Sequence, residues 1–198
     1  MSIWINKSAL LCGFLICTGC VEPGADFRER PVLSGAIVVA APNGYCIDPG
    51  GVLESNGTAL ALIGRCSSGT AQAAILTVAV GGPGSGQGLQ GGQANLATFF
   101  ATQDGRRALS RSGDFASVTV REIGVKGDAV LIHLTDVSPN SEAPGQTESW
   151  RAILPVSGRL VSLTVTGAGN AALSPQQGKD LLTAFVSRMK AANPGASG

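Results

Sequence analysis

Histidine occurs once in this chain, at His133. A lone imidazole leaves little room for chemistry that needs a general base beside a nucleophile, or several nitrogen ligands around zinc. No Gly-x-Ser-x-Gly elbow accompanies it, and Gly84-Ser85-Gly86 is not one. Asp136 lies three residues on, and alternation along a strand points it away from His133, so the two do not share a metal. His133 itself is out of phase with Val130, Ile132 and Leu134, which places it on the less buried face of its strand. Paired carboxylates are missing too. Asp104, Asp114 and Asp128 each adjoin a glycine, where turn chemistry accounts for them. Glu142 and Glu148 lie in or beside a polar loop, so glycoside hydrolysis has no support. The expectation is a protein without catalytic residues, metal or cofactor.

Charge is also scarce. Charged residues make up 14% of the chain and the formal net charge is +1, against a usual charged share of about 25%. No basic tract exists of the kind that nucleic-acid binding needs, which excludes that class of partner. The densest basic cluster is Arg106, Arg107 and Arg111. It reads either as a solvated helix end interspersed with Asp104 and Asp114, or as a contact for an anion or a partner protein. Beyond the first twenty residues no run is apolar for long enough to span a bilayer.

The N-terminus carries the strongest signal. Lys7 gives a weak positive charge, an apolar run from Leu10 to Cys17 follows, and Thr18-Gly19-Cys20 ends it. This resembles a bacterial lipoprotein signal with its lipobox, although Cys17 stands where an aliphatic residue is commoner. The resemblance implies residues 1–19 as signal peptide and Cys20 as the lipidated, palmitate-bearing N-terminus. It places the protein in the cell envelope, anchored on the periplasmic side of the inner or outer membrane. An ordinary secretory signal cut near Ala25 and a retained anchor helix are the alternatives. Residues 20–34, with Glu22-Pro23-Gly24 and Arg28-Glu29-Arg30-Pro31, read as a solvated tether.

Export sorts the five cysteines. Cys12 and Cys17 leave with the signal, and Cys20 takes lipid. Cys46 and Cys66 remain, an even pair in an oxidising compartment, and predict a disulfide. Their spacing is unlike the redox-active Cys-x-x-Cys. A loop of about 20 residues closed this way stabilises a fold by roughly 3 kcal/mol on chain-entropy grounds.

Residues 35–193 read as one α+β domain, with 194–198 as a disordered tail. Strands are predicted at 36–41, 58–65 and 73–80. Asp48-Pro49 predicts one helical turn through Leu53, with Asp as N-cap. The glycine-rich segment 81–92 lacks the endings of a phosphate-binding loop and reads as a flexible connection, with a ligand loop as the alternative. Leu96, Phe99 and Phe100 have helical spacing, with a stop or kink at Asp104-Gly105. Two hairpins follow, 115–136 and a second carrying Trp150, Ala152 and Leu154 opposite Val161, Leu163 and Val165, separated by a polar loop at 138–146. Ser174-Pro175-Gln176-Gln177 is a capping box opening a C-terminal helix whose apolar face is Leu181, Leu182, Phe185, Met189 and Ala192.

These elements predict a mainly antiparallel sheet of about six or seven strands with two main helices packed on one face. Their order across residues 36–192 resembles the PsbP-like domains of secreted proteins and lipoproteins. Gly44-Tyr45-Cys46-Ile47-Asp48 and Trp150-Arg151-Ala152-Ile153-Leu154-Pro155 are similar to segments of uncharacterised proteobacterial envelope lipoproteins. The first resemblance implies binding or assisting other proteins and carries no catalytic residues to transfer. The expected function is a non-enzymatic envelope lipoprotein with an envelope protein as partner. A small-ligand module using a cleft between helices and sheet is the alternative.

Overall fold

Alternation at period two builds most of this molecule. The computed structural model describes residues 27–87, 89, 92–139 and 147–195. Among them the strands are β1 (Glu29–Val32), β2 (Ile37–Ala40), β3 (Tyr45–Ser55), β4 (Thr58–Arg65), β5 (Ala74–Val80), β6 (Val118–Lys126), β7 (Ala129–Asp136), β8 (Glu148–Val156) and β9 (Arg159–Gly167). The helices are α1 (Gln93–Ala101), α2 (Gln103–Leu109) and α3 (Pro175–Ala192). Strands β3 to β9 form one antiparallel sheet in the order β3-β4-β5-β9-β8-β7-β6, and β1 pairs with β2 in a separate hairpin. The architecture is α+β, with one long helix and two short ones.

The register divides the sheet into two cores. His133 lies opposite Trp150 and Ile132 opposite Arg151. Because neighbours on a strand point to opposite faces, the inward residues of the two predicted hairpins go to different sides. Trp150, Ala152, Leu154, Val161, Leu163 and Val165 join Leu182, Phe185 and Met189 of α3 in one apolar cluster. Val130, Ile132 and Leu134 join Phe100 of α1 and Leu109 of α2 in another. The expectation of two helices on one face is therefore corrected. Helix α3 and the β1–β2 hairpin cover one face, while α1 and α2 cover part of the other.

Helix α3 starts as its capping box requires. Ser174 Oγ accepts from Gln177 N, and Gln177 Oε1 accepts from Ser174 N at 2.9 Å. At its other end Asn193 is buried and stitched to β2, accepting from Val38 N and donating to Val38 O, both at 2.9 Å. Between them Gly178 lies against Trp150. A Cβ there would stand 2.3 Å from Trp150 Cδ1, so only glycine allows this approach.

Other expectations need adjusting. Residues 29–32, read as the end of the tether, form β1. No helical turn forms at Asp48-Pro49. Instead β3 runs through with an irregularity between Ile47 and Val52, and Asp48 Oδ1 accepts from Gly50 N at 3.0 Å. The side chain that would have capped a helix closes a local turn inside a strand. The α1–α2 break falls at Thr102, whose hydroxyl accepts from Gly105 N at 3.1 Å and caps α2. Cys46 and Cys66 lie at disulfide distance, with Cα atoms 4.9 Å apart, joining β3 to the end of β4. Residues 1–26, which include the expected signal and Cys20, residues 140–146 of the polar loop and residues 196–198 at the C-terminus lie outside the described residues. Among the described residues no helix is long and apolar enough to cross a membrane.

Candidate functional site

The face opposite α3 is only partly covered. Helix α1 packs on β6 and β7, and α2 on β6. Toward the far side, over β3 and β4, Leu53, Leu60 and Leu62 remain 63%, 45% and 39% exposed. Between the covered and bare parts runs a groove of about 560 Å³. Its floor is Ile153 of β8 with Leu160 and Ser162 of β9, and one wall is Leu96, Phe99 and Phe100 of α1. This volume lies within the range of small-ligand sites, roughly 300–1,000 Å³.

The glycine-rich segment closes the groove's end, with Ser85, Gln87 and Leu89 among the lining residues. Residues 81–87 are not the free coil that their composition suggests. Ser85 Oγ accepts from Leu160 N at 2.9 Å and donates to Gly82 O at 2.7 Å. Gly81 N donates to Leu160 O and Gly86 N to Gly158 O, fixing 81–87 to the start of β9. A Cβ on Gly86 would stand 2.7 Å from the Arg159 backbone, so glycine permits the close contact.

Arg151 lies at the groove's inner end. It donates to Leu109 O at 3.3 Å, and its Nε is buried without a hydrogen-bond partner. Burial pushes its pKa below the ordinary value, Asp136 pulls it back up, and Arg111 pushes it down. The guanidinium remains charged at physiological pH. An arginine between Trp150 and Ala152 was the sequence signal for this site. Its face could be known only once the β7–β8 register was known.

Beyond Arg151 is a compact polar cluster. Burial alone would raise the Asp136 carboxyl. Hydrogen bonds from Ser138 Oγ at 2.6 Å, the Arg111 and Ser138 amides at 2.9 Å and Ser117 Oγ at 3.1 Å outweigh that and hold its pKa at about 2. Arg111 also donates from Nε to Asp136 Oδ2 at 3.2 Å and from Nη2 to Asp136 O at 2.9 Å. The cluster fastens the chain after α2 to the end of β7.

The three arginines of the basic cluster thus have separate settings. Arg111 engages Asp136. Arg107 pairs with Asp104 at 2.6 Å, and Arg106 and Arg107 both approach the Phe115 ring, at 5.9 and 5.6 Å from its centroid.

His133 is not on a less buried face. It is 7% exposed on the α3 side, stacked on Trp150 with ring centroids 4.5 Å apart and planes 5° from parallel. Its Nε2 hydrogen-bonds Glu148 Oε1 at 2.6 Å. The pairing with Trp150 across β7 and β8 supplies the burial that strand phase alone did not reveal. Asp136 lies on the opposite face, as alternation requires. Among the described residues no group of three or more His, Cys, Asp or Glu side chains is placed to hold a metal. No protein-family model matches this chain, and no curated protein or solved structure matches it either.

Proposed function

We propose that this protein is a lipid-anchored domain of the bacterial envelope that binds without catalysis, and that its binding surface is the groove opposite α3. The observation behind the groove is the uneven covering of the sheet. One face is covered by α3 and the β1–β2 hairpin, with a pocket of about 220 Å³ at its edge, and the other leaves about 560 Å³ open beside Phe99 and Leu160. The lipid anchor rests on the Cys20 resemblance, on either envelope membrane, with the domain held close to the bilayer by a short tether. A Cys20→Ala change should abolish palmitate incorporation while leaving the domain folded. Palmitate incorporation that persists would refute the anchor.

The alternative occupant is an envelope protein, as the PsbP-like resemblance implies. The exposed Leu53, Leu60 and Leu62 favour it, because contiguous apolar surface on a sheet face suits a protein partner. In-cell crosslinking separates the two. A photoactivatable residue at Phe99 should yield adducts of low mass, and the same residue at the exposed Ala184 on α3 should yield none. High-mass adducts at Leu60 with none at Phe99 would replace the ligand reading with the protein-partner reading.

A further inference from the structure

The pairing of β8 with β9 sets out the groove's chemistry in sequence. Ile153 faces Ser162, Arg151 faces Thr164, and Ser149 faces Thr166. The first pair belongs to the apolar groove with Leu160 and Phe99. The other two line an adjoining polar hollow of about 70 Å³ that also includes Arg111 and Asp136. Arg151 lines both. At a strand rise of about 3.3 Å per residue, the step from Leu160 to Thr164 covers roughly 13 Å. Over that distance the surface changes from hydrocarbon to cation and hydroxyl.

The charges around the hollow do not cancel. Arg111 and Arg151 face the single carboxylate of Asp136. Asp136 already accepts from Arg111, Ser117 and Ser138. Arg151 has one hydrogen bond for five N–H donors, and its Nε is buried and unpaired. Asp136 is thus shared between two guanidiniums, and a partly desolvated cation with only a shared counter-charge is costly, which leaves the site one negative charge short. Among the described residues the Ser149 and Thr164 hydroxyls make no side-chain hydrogen bond, and both line the hollow.

We propose that the groove holds a single-chain amphiphile with a carboxylate head, its acyl chain over Ile153, Leu160 and Phe99 and its carboxylate held by Arg151 with Ser149 and Thr164. The proposal rests on the groove being the binding surface. A monoanion brings the local charge to zero, whereas a phosphate dianion exceeds it. A guanidinium also matches a carboxylate in plane and spacing.

The test uses the full chain in lipid vesicles and a dodecanoate carrying a photoreactive diazirine on its alkyl chain. Labelled peptides are located by mass spectrometry. Label is expected on the peptides containing Phe99 and Leu160. Dodecanoate should compete about tenfold better than dodecanol or dodecyl phosphate, one charge-assisted contact being worth roughly that factor. Arg151→Met should lower groove labelling about tenfold, and Thr164→Val several-fold, with circular dichroism unchanged. If dodecanol competes as well as dodecanoate, the carboxylate assignment is wrong and the groove reading survives. If dodecyl phosphate competes best, the head group is phosphate and the assignment is again overturned. If neither groove peptide is labelled, both readings fall. Should Arg151→Met misfold, the order of competitors on the unaltered protein decides the matter.

Discussion

The two faces of one sheet have come to different ends. On the α3 side, Ala61, Ile63, Leu76, Val78, Ala152, Leu163, Phe185 and Met189 form a continuous dry layer, each essentially inaccessible to water. On the other side the same strands contribute Leu60, Leu62, Ala79, Ser162, Thr164 and Arg151, a mixture that is partly bare and partly polar. Neighbouring residues on a strand thus serve opposite purposes. One face carries the stability of the fold, which frees the other to keep an arginine short of partners and leucines in water. A surface of that kind costs stability, and its persistence beside so complete a core is a reason to assign it a role.

Phe185→Ala tests the contrast most severely. Phe185 is wholly buried on the α3 face, and truncation should cost about 3–5 kcal/mol in urea unfolding. A loss below about 1 kcal/mol would mean that α3 is not part of the main core. Asp136→Asn, on the other face, should cost on the order of 2 kcal/mol at neutral pH. The sign follows from linkage. The folded carboxyl titrates at about 2, below its unfolded value, so its contribution is present above roughly pH 4 and is lost as pH falls toward 2. The variant and the parent should therefore converge in stability at the acid end. Parallel urea midpoints from neutral pH down to about 2 would contradict this. Leu60→Ser and Leu62→Ser should change stability by about 0.5 kcal/mol or less, since both side chains are substantially exposed. A larger loss would show that the bare half of the sheet is part of a core after all.

Local signals in the sequence located elements well and assigned faces poorly. The capping box at Ser174 and the i, i+3, i+4 spacing of α3 depend on near neighbours, and the helix begins where they indicate. The turn at Ser157-Gly158 and the alternation on either side of it define β8 and β9 for the same reason. Which side each hairpin buries depends on pairing between strands far apart in the chain, and period two is silent about that choice. That His133 shares a face with Trp150, and Ile132 with Arg151, follows from the β7–β8 register. Asp48 shows the opposite limit. An Asp-Pro pair is an equally good helix start and strand bulge, and the long pairing of β3 with β4 selects the second. The candidate site was legible least of all. Its one distinctive residue, Arg151, looks like an ordinary outward arginine until a groove is found on its side of the sheet.

Trp150 has an optical consequence. The chain has two tryptophans, and Trp4 lies outside the described residues. Among the described residues a single indole, that of Trp150, lies between the His133 ring and the Gly178 backbone, on the α3 side. Its emission reports the departure of α3 from the sheet. It does not register an occupant of the groove, which lies across the full thickness of the sheet. In a Trp4→Phe chain a fluorescence melt thus follows one face of this protein and leaves the other dark.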